Sequence, residues 1–200
     1  MLKKQMERYI ENVLKMNGAQ VALFEEEKRY VENHPSMLGE HVEIIEKNGT
    51  LRFADAYIER CDKESEEMLA EEKPQFLQNK LSYLKQHKNE FIYVESDYFD
   101  IIGVDVVSLE VDDVFGTYNV MVGLKLQKKH EAAIKSYLSG HLEGEGPMFG
   151  LMFSQGDGLW DLNFTLNGVA GFTEDATIEG AYRLIYSFIF QLQEAVEAAL

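Results

Sequence analysis

The chain has 200 residues, 46% of them hydrophobic and 12% aromatic, enough apolar material for one domain with an extension or for two small ones. Its 35 acidic residues outweigh 19 basic ones, for a formal charge of −16. No basic, aromatic-interleaved stretch offsets that charge, which argues against nucleic acid and anionic lipid as partners.

Leu2, Met6, Tyr9, Ile10, Val13 and Leu14 recur at helical spacing and Asn17-Gly18 is a stop signal, so the chain is expected to open with a helix. A second helix is expected from about Ala19 to Asn33, ended by His34-Pro35, although Val21 to Phe24 also fits a short strand. Val42 to Phe53 reads as a hairpin turning at Asn48-Gly49. Asp55 is placed to cap a further helix carrying Tyr57, Ile58, Cys61 and Met68, with the glutamates of the stretch from Glu64 to Glu72 on its solvent face and Lys73-Pro74 as its end. Residues 1–73 are thus expected to form a helical extension with a hairpin at 42–53, and residues 74–200 an α+β domain.

In that domain Leu77, Leu81 and Leu84 mark a helix, and Phe91 to Val94 a strand. Val107, Leu109 and Val111 alternate with polar residues, as do Tyr118, Val120, Val122 and Leu124, with Asp113 to Thr117 as the turn between them. Lys128 to Leu138 reads as a helix that stops at Gly140, and Gly144 to Pro147 as loop. Phe149, Leu151 and Phe153 alternate, then Trp160, Leu162, Phe164 and Leu166, joined as a hairpin by Gly156-Asp157-Gly158. Thr173 or Asp175 is placed to cap a long helix to the C-terminus, with Ile178, Ala181, Ile185, Phe188, Leu192 and Val196 on its core stripe. The resulting order, α-β-β-β-α-β-β-α, predicts an α+β fold: one largely antiparallel sheet, covered by the last helix, with Trp160 pointing inward.

That order, carried by Val107-Ser108-Leu109-Glu110-Val111, by the segment from Leu151 to Leu162 and by the last helix, resembles the fold of type III secretion chaperones and their cytoplasmic relatives, which are also small and acidic. The resemblance covers about 125 residues from residue 75 onward and leaves out the stretch from Met1 to Lys73. It implies a protein-binding, dimer-prone module without catalysis or cofactor. The chain is also similar to a family of uncharacterised bacterial proteins of this length, some labelled branched-chain aminotransferase. That label implies a Schiff-base lysine among phosphate-binding loops around pyridoxal phosphate, and no lysine here stands in such a setting.

Residue patterns for chemistry are sparse. No two of His34, His41, His87, His130 and His141 stand four apart on a helix as zinc ligands do. Ser154 lacks the leading glycine of a hydrolase elbow. Cys61 has no cysteine to pair with, and, with no leader at the N-terminus and an apolar run from Leu184 to Phe190 too short to span a bilayer, a cytoplasmic location without membrane contact is expected. Two candidate sites emerge. Glu110, Asp112 and Asp113, with Asp105 nearby, bring carboxylates together on and beyond one strand, the alternative being a small metal-dependent or acid/base enzyme. Tyr182, Tyr186 and Phe190 fall off the edge of the last helix's core stripe, so either the N-terminal helices or another chain must cover them, the latter making them a protein contact or homodimer surface.

Overall fold

Leu2, Met6 and Ile10 lie one helical turn apart and are all sealed from solvent, so the first helix, α1 (Leu2–Asn17), sets that stripe on the core. The computed structural model describes every residue except Glu40, Pro147 and Leu200, and every other side chain but that of Asn17. The proline of the loop expected at Gly144 to Pro147 and the last residue of the expected C-terminal helix therefore lie outside the described residues.

After α1 come β1 (Gln20–Leu23), α2 (Glu25–Asn33) and β2 (Glu43–Glu46). β1 and β2 pair in parallel, from Gln20 against Glu43 to Leu23 against Glu46. The hairpin expected at 42–53 is therefore not formed. Asn48, instead of sitting in a tight β-turn, caps a 3-10 turn over Gly49–Leu51 by accepting from the Thr50 amide at 3.1 Å.

β3 (Tyr57–Asp62) and β4 (Met68–Glu72) form an antiparallel hairpin where a helix was expected. β4, with Glu71 and Glu72, is an edge strand, where charge discourages further pairing. Next are α3 (Tyr83–Gln86), a single turn, and then β5 (Glu90–Glu95), β6 (Val104–Val111), β7 (Tyr118–Leu124), α4 (Glu131–His141), β8 (Phe149–Ser154), β9 (Leu159–Thr165) and α5 (Ile178–Ala198). The α+β order expected from residue 75 onward is present. The cap of α5 is Thr177, whose hydroxyl accepts from the Gly180 amide at 3.0 Å, in place of Thr173 or Asp175.

One seven-stranded antiparallel sheet runs β4-β3-β5-β6-β7-β9-β8. Val122 pairs with Leu162 and Leu124 with Trp160, and Trp160 is 2% exposed. β3 and β4 belong to this sheet, and one hydrophobic core extends from Leu2 to Val196. The boundary expected at 73/74 thus cuts through the sheet.

Ile92, Val94, Val107, Leu109, Val120 and Leu162 point to one face of the sheet and are fully buried. α5 lies over that face. Its Tyr182 hydroxyl donates to the Ile92 carbonyl and its Gln193 amide to the Ile102 carbonyl, both at 2.8 Å. α1, α2 and the turn at Gly49–Leu51 close over the far side of α5, so this helix is buried nearly all round. The opposite sheet face is different: β5, β6, β7 and β9 carry no fully buried side chain there. Tyr93, Ser108, Met121 and Asn163 form one cross-strand row of it.

Candidate functional site

Tyr182, Tyr186 and Phe190 are completely buried within the chain. Of the two coverings open to them, the structure has the intramolecular one, and the expected contact surface is occupied by the chain's own N-terminal part. Tyr30 of α2 meets Phe190 edge-on at 5.9 Å between ring centroids, and Phe53 meets Tyr182 at 6.1 Å. The Arg52 guanidinium lies 3.8 Å from the Tyr186 ring centre and 4.3 Å from that of Phe24, sandwiched between them.

Arg52 is the hub of this region. Its Nη1 meets Glu27 Oε1 at 2.6 Å and its Nη2 meets Glu26 Oε2 at 2.5 Å, with the Arg52 and Glu27 side chains only 2% and 1% exposed. The Tyr186 hydroxyl also donates to Glu27. The adjacent carboxylate and burial push that hydroxyl's pKa far above the ordinary tyrosine value, burial being the larger cause. The salt bridge of Arg29 to Glu194 at 3.0 Å and the Tyr30 to Glu197 hydrogen bond at 2.5 Å fasten α2 farther along α5.

The carboxylates of the 105–113 region do not converge on a pocket. Asp112 lies past the end of β6, and its Oδ1 accepts from the amides of Val114 at 2.9 Å and Phe115 at 2.7 Å. Glu110 and Asp113 flank the Lys63 ammonium at 3.9 and 3.6 Å, and Lys63 also donates to the Val111 carbonyl. Asp105 pairs with Lys125. Burial raises the Glu110 pKa, Lys63 opposes that rise, and Asp113 and Asp112 add to it. A cation is already built into the group, and no set of three or more His, Cys, Asp or Glu side chains placed for a metal occurs among the described residues. Cys61 is buried, and burial, aided by Glu59, pushes its thiol up to about 11. The Ser154 hydroxyl donates to Asp157 at 2.8 Å inside its turn. Among the described residues, no helix is long and apolar enough to cross a membrane.

Two surfaces remain that the sequence reading missed. The first is at the sheet end where β3 finishes and β5 begins. The β6–β7 turn is held by the two Asp112 side-chain bonds and by backbone bonds from the Asp112 amide to the Thr117 carbonyl at 2.7 Å and from the Gly116 amide to the Asp112 carbonyl at 2.9 Å. Gly116 sits at φ 67°, where a side chain would be strained. On this pinned turn Val114 and Phe115 are 82% and 80% exposed. The neighbouring β3–β4 turn is built alike, Asp62 Oδ1 accepting from the amides of Glu64 at 3.0 Å and Ser65 at 2.9 Å. It presents Glu64, Glu66 and Glu67 to solvent, followed by Met68 and Leu69 at 54% and 49% exposure. Lys63, hydrogen-bonded to Val111 and close to Asp113, ties the two turns together.

The second surface is a cleft of about 650 Å³ at the opposite end of the same strands. One wall is a face of α1 bearing Gln5, Arg8, Tyr9 and Asn12. The facing wall bears Asp55, Tyr57, Glu95, Asp97 and Asp100. Lys47 and Tyr98 stand between them, the Lys47 ammonium donating to the Tyr98 hydroxyl at 2.5 Å and lying 4.7 Å from the Phe24 ring centre.

Compared with protein-family models, curated proteins and solved structures, the chain matches none.

Proposed function

We propose that this protein is a non-catalytic, cytoplasmic protein-binding module of chaperone-like character, and that its partner is a basic segment carrying apolar side chains. The observation that carries the reading is the pair Val114 and Phe115, at least four-fifths exposed on a turn pinned by four hydrogen bonds. Because the backbone that carries these side chains is already fixed, docking them orders less of the chain, and aromatic anchors dominate protein interfaces. Asp113 precedes the pair and Glu64, Glu66 and Glu67 stand exposed on the neighbouring turn that Lys63 ties to it, and with a formal charge of −16 they favour a Lys- or Arg-rich partner. The uncovered sheet face leads away from the same turns and provides room for a longer segment. An enzyme centred on Glu110, Asp112 and Asp113 is the weaker reading, because those groups are engaged by Lys63 and by backbone amides.

Fluorescence anisotropy with labelled peptides of alternating lysine and leucine, and of alternating glutamate and leucine, tests this reading. The basic peptide should bind more tightly by about tenfold or more, and lose that affinity on Val114→Ser with Phe115→Ser. Equal binding of the two peptides, or affinity unchanged by the double substitution, would refute the reading.

A further inference from the structure

We propose that the cleft between α1 and the ends of β3 and β5 binds a small polyhydroxylated molecule carrying one anionic group, a sugar acid or a sugar phosphate, with the anion seated on Lys47. The site goes beyond the protein-binding reading and is spatially separate from it. Tyr57 and Glu95 lie at the ends of β3 and β5 remote from Asp62 and Glu90, roughly 17 Å away at about 3.4 Å per residue.

The anion is inferred from the pairing of charges. Among the described lysines and arginines at least partly withdrawn from solvent, Lys28, Arg52, Arg60, Lys63, Lys85 and Arg183 each meet a carboxylate. Among the described residues Lys47 has no carboxylate oxygen within 4.0 Å. Its ammonium instead touches the Tyr98 hydroxyl and the ring faces of Phe24 and Tyr98 in the half-buried wall of the cleft. A cation partly withdrawn from water without a counter-charge is costly, and a ligand anion there would offset the cost. Arg8, on the α1 wall, adds positive potential at the same side.

The hydroxyl-rich body is inferred from the rest of the lining. Asp55, Glu95, Asp97 and Asp100 accept hydrogen bonds, Gln5 and Asn12 both donate and accept, and the tyrosine rings give flat apolar surfaces for C–H faces. These four carboxylates also restrict the charge. A ligand with several anionic groups would meet repulsion from the facing wall, whereas hydroxyls donate to it.

The test is an NMR titration of the full chain with D-glucuronate and D-glucose 6-phosphate, against D-glucose and acetate. At least one anionic sugar should bind with Kd on the order of 1 mM or tighter, and about tenfold more tightly than glucose or acetate. The better of the two identifies carboxylate or phosphate as the anion. Lys47→Met should weaken that binding about tenfold or more, while Lys47→Arg, which keeps the charge and checks folding, should retain most of it. Absence of saturable binding by both anionic sugars, equal binding of glucose or acetate, or an unchanged Kd in a folded Lys47→Met protein would overturn the proposal.

Discussion

Glu27→Ala should be among the most damaging single substitutions in this protein. In the folded chain the Arg52 fork meets Glu27 through Nη1 at 2.6 Å and Nη2 at 3.2 Å, and both side chains are at most 2% exposed. Removing the carboxylate leaves a buried guanidinium with Glu26 alone, and leaves the Tyr186 hydroxyl without its acceptor. Breaking a buried pair from one side costs about 3–5 kcal/mol, because the remaining charge stays desolvated. For a chain whose whole stability is on the order of 10 kcal/mol, that is a large share. Urea unfolding followed by circular dichroism measures the loss. Glu27→Leu combined with Arg52→Met should recover most of it, since neither charge is then stranded, giving a coupling energy of about 2 kcal/mol or more. A loss below about 1 kcal/mol for Glu27→Ala, or strictly additive single and double substitutions, would refute the view that this network fastens α2 to α5.

Trp160→Ala should cost about 3–5 kcal/mol in the same urea assay, because the ring is nearly sealed and packs edge-on against Phe153 at 4.9 Å; a loss under about 1 kcal/mol would contradict its inward placement. Cys61, with its thiol pushed up to about 11, should react with iodoacetamide at pH 8 about a hundredfold more slowly in the native than in the urea-unfolded protein, and equal rates would show the thiol to be open. The backbone donors of Phe115 and Val114 lower the Asp112 pKa below the ordinary aspartate value. The contribution of this carboxylate to the turn is therefore complete above the ordinary value and lost as pH falls through the lower, folded one. The amide resonances of Val114 and Phe115 should titrate below about pH 3.9, and a midpoint at or above that value would contradict the assigned hydrogen bonds.

The strands Val104–Val111, Tyr118–Leu124 and Leu159–Thr165 were legible because one face of each is buried and the other is not, so their apolar residues largely alternate. The stretch from Tyr57 to Glu72 was not. Ile58 and Cys61 are both buried, three residues apart, because they point to opposite faces of β3, and that spacing imitates a helix. The parallel partner of β2 lies 23 residues upstream across α2, which a local pattern cannot reveal. Arg52 reads as an ordinary polar residue until the fold sets it between Phe24, Glu27 and Tyr186. The cleft is likewise assembled from three distant stretches of chain.

Other features did leave signals. Val114-Phe115 inside an otherwise acidic turn is visible in the sequence as an apolar pair with no periodic role. A tyrosine precedes a histidine by four residues at Tyr30 and His34, Tyr83 and His87, and Tyr137 and His141, and in each case the rings stack at about 4 Å near a helix C-terminus. Of the three, His34 and His141 also bring Nδ1 to the tyrosine's carbonyl, at 2.8 and 2.9 Å.

The proposed protein-binding surface is tested most directly by mapping it. Titrating the isotope-labelled full chain with the lysine–leucine peptide should shift the amide resonances of Val114, Phe115, Glu64, Glu66 and Glu67 first and most, with the uncovered face of β5 and β6 following and the α1 cleft unmoved. Shifts confined to the α1 cleft, or scattered evenly over the acidic surface with Val114 and Phe115 unaffected, would contradict the proposed site.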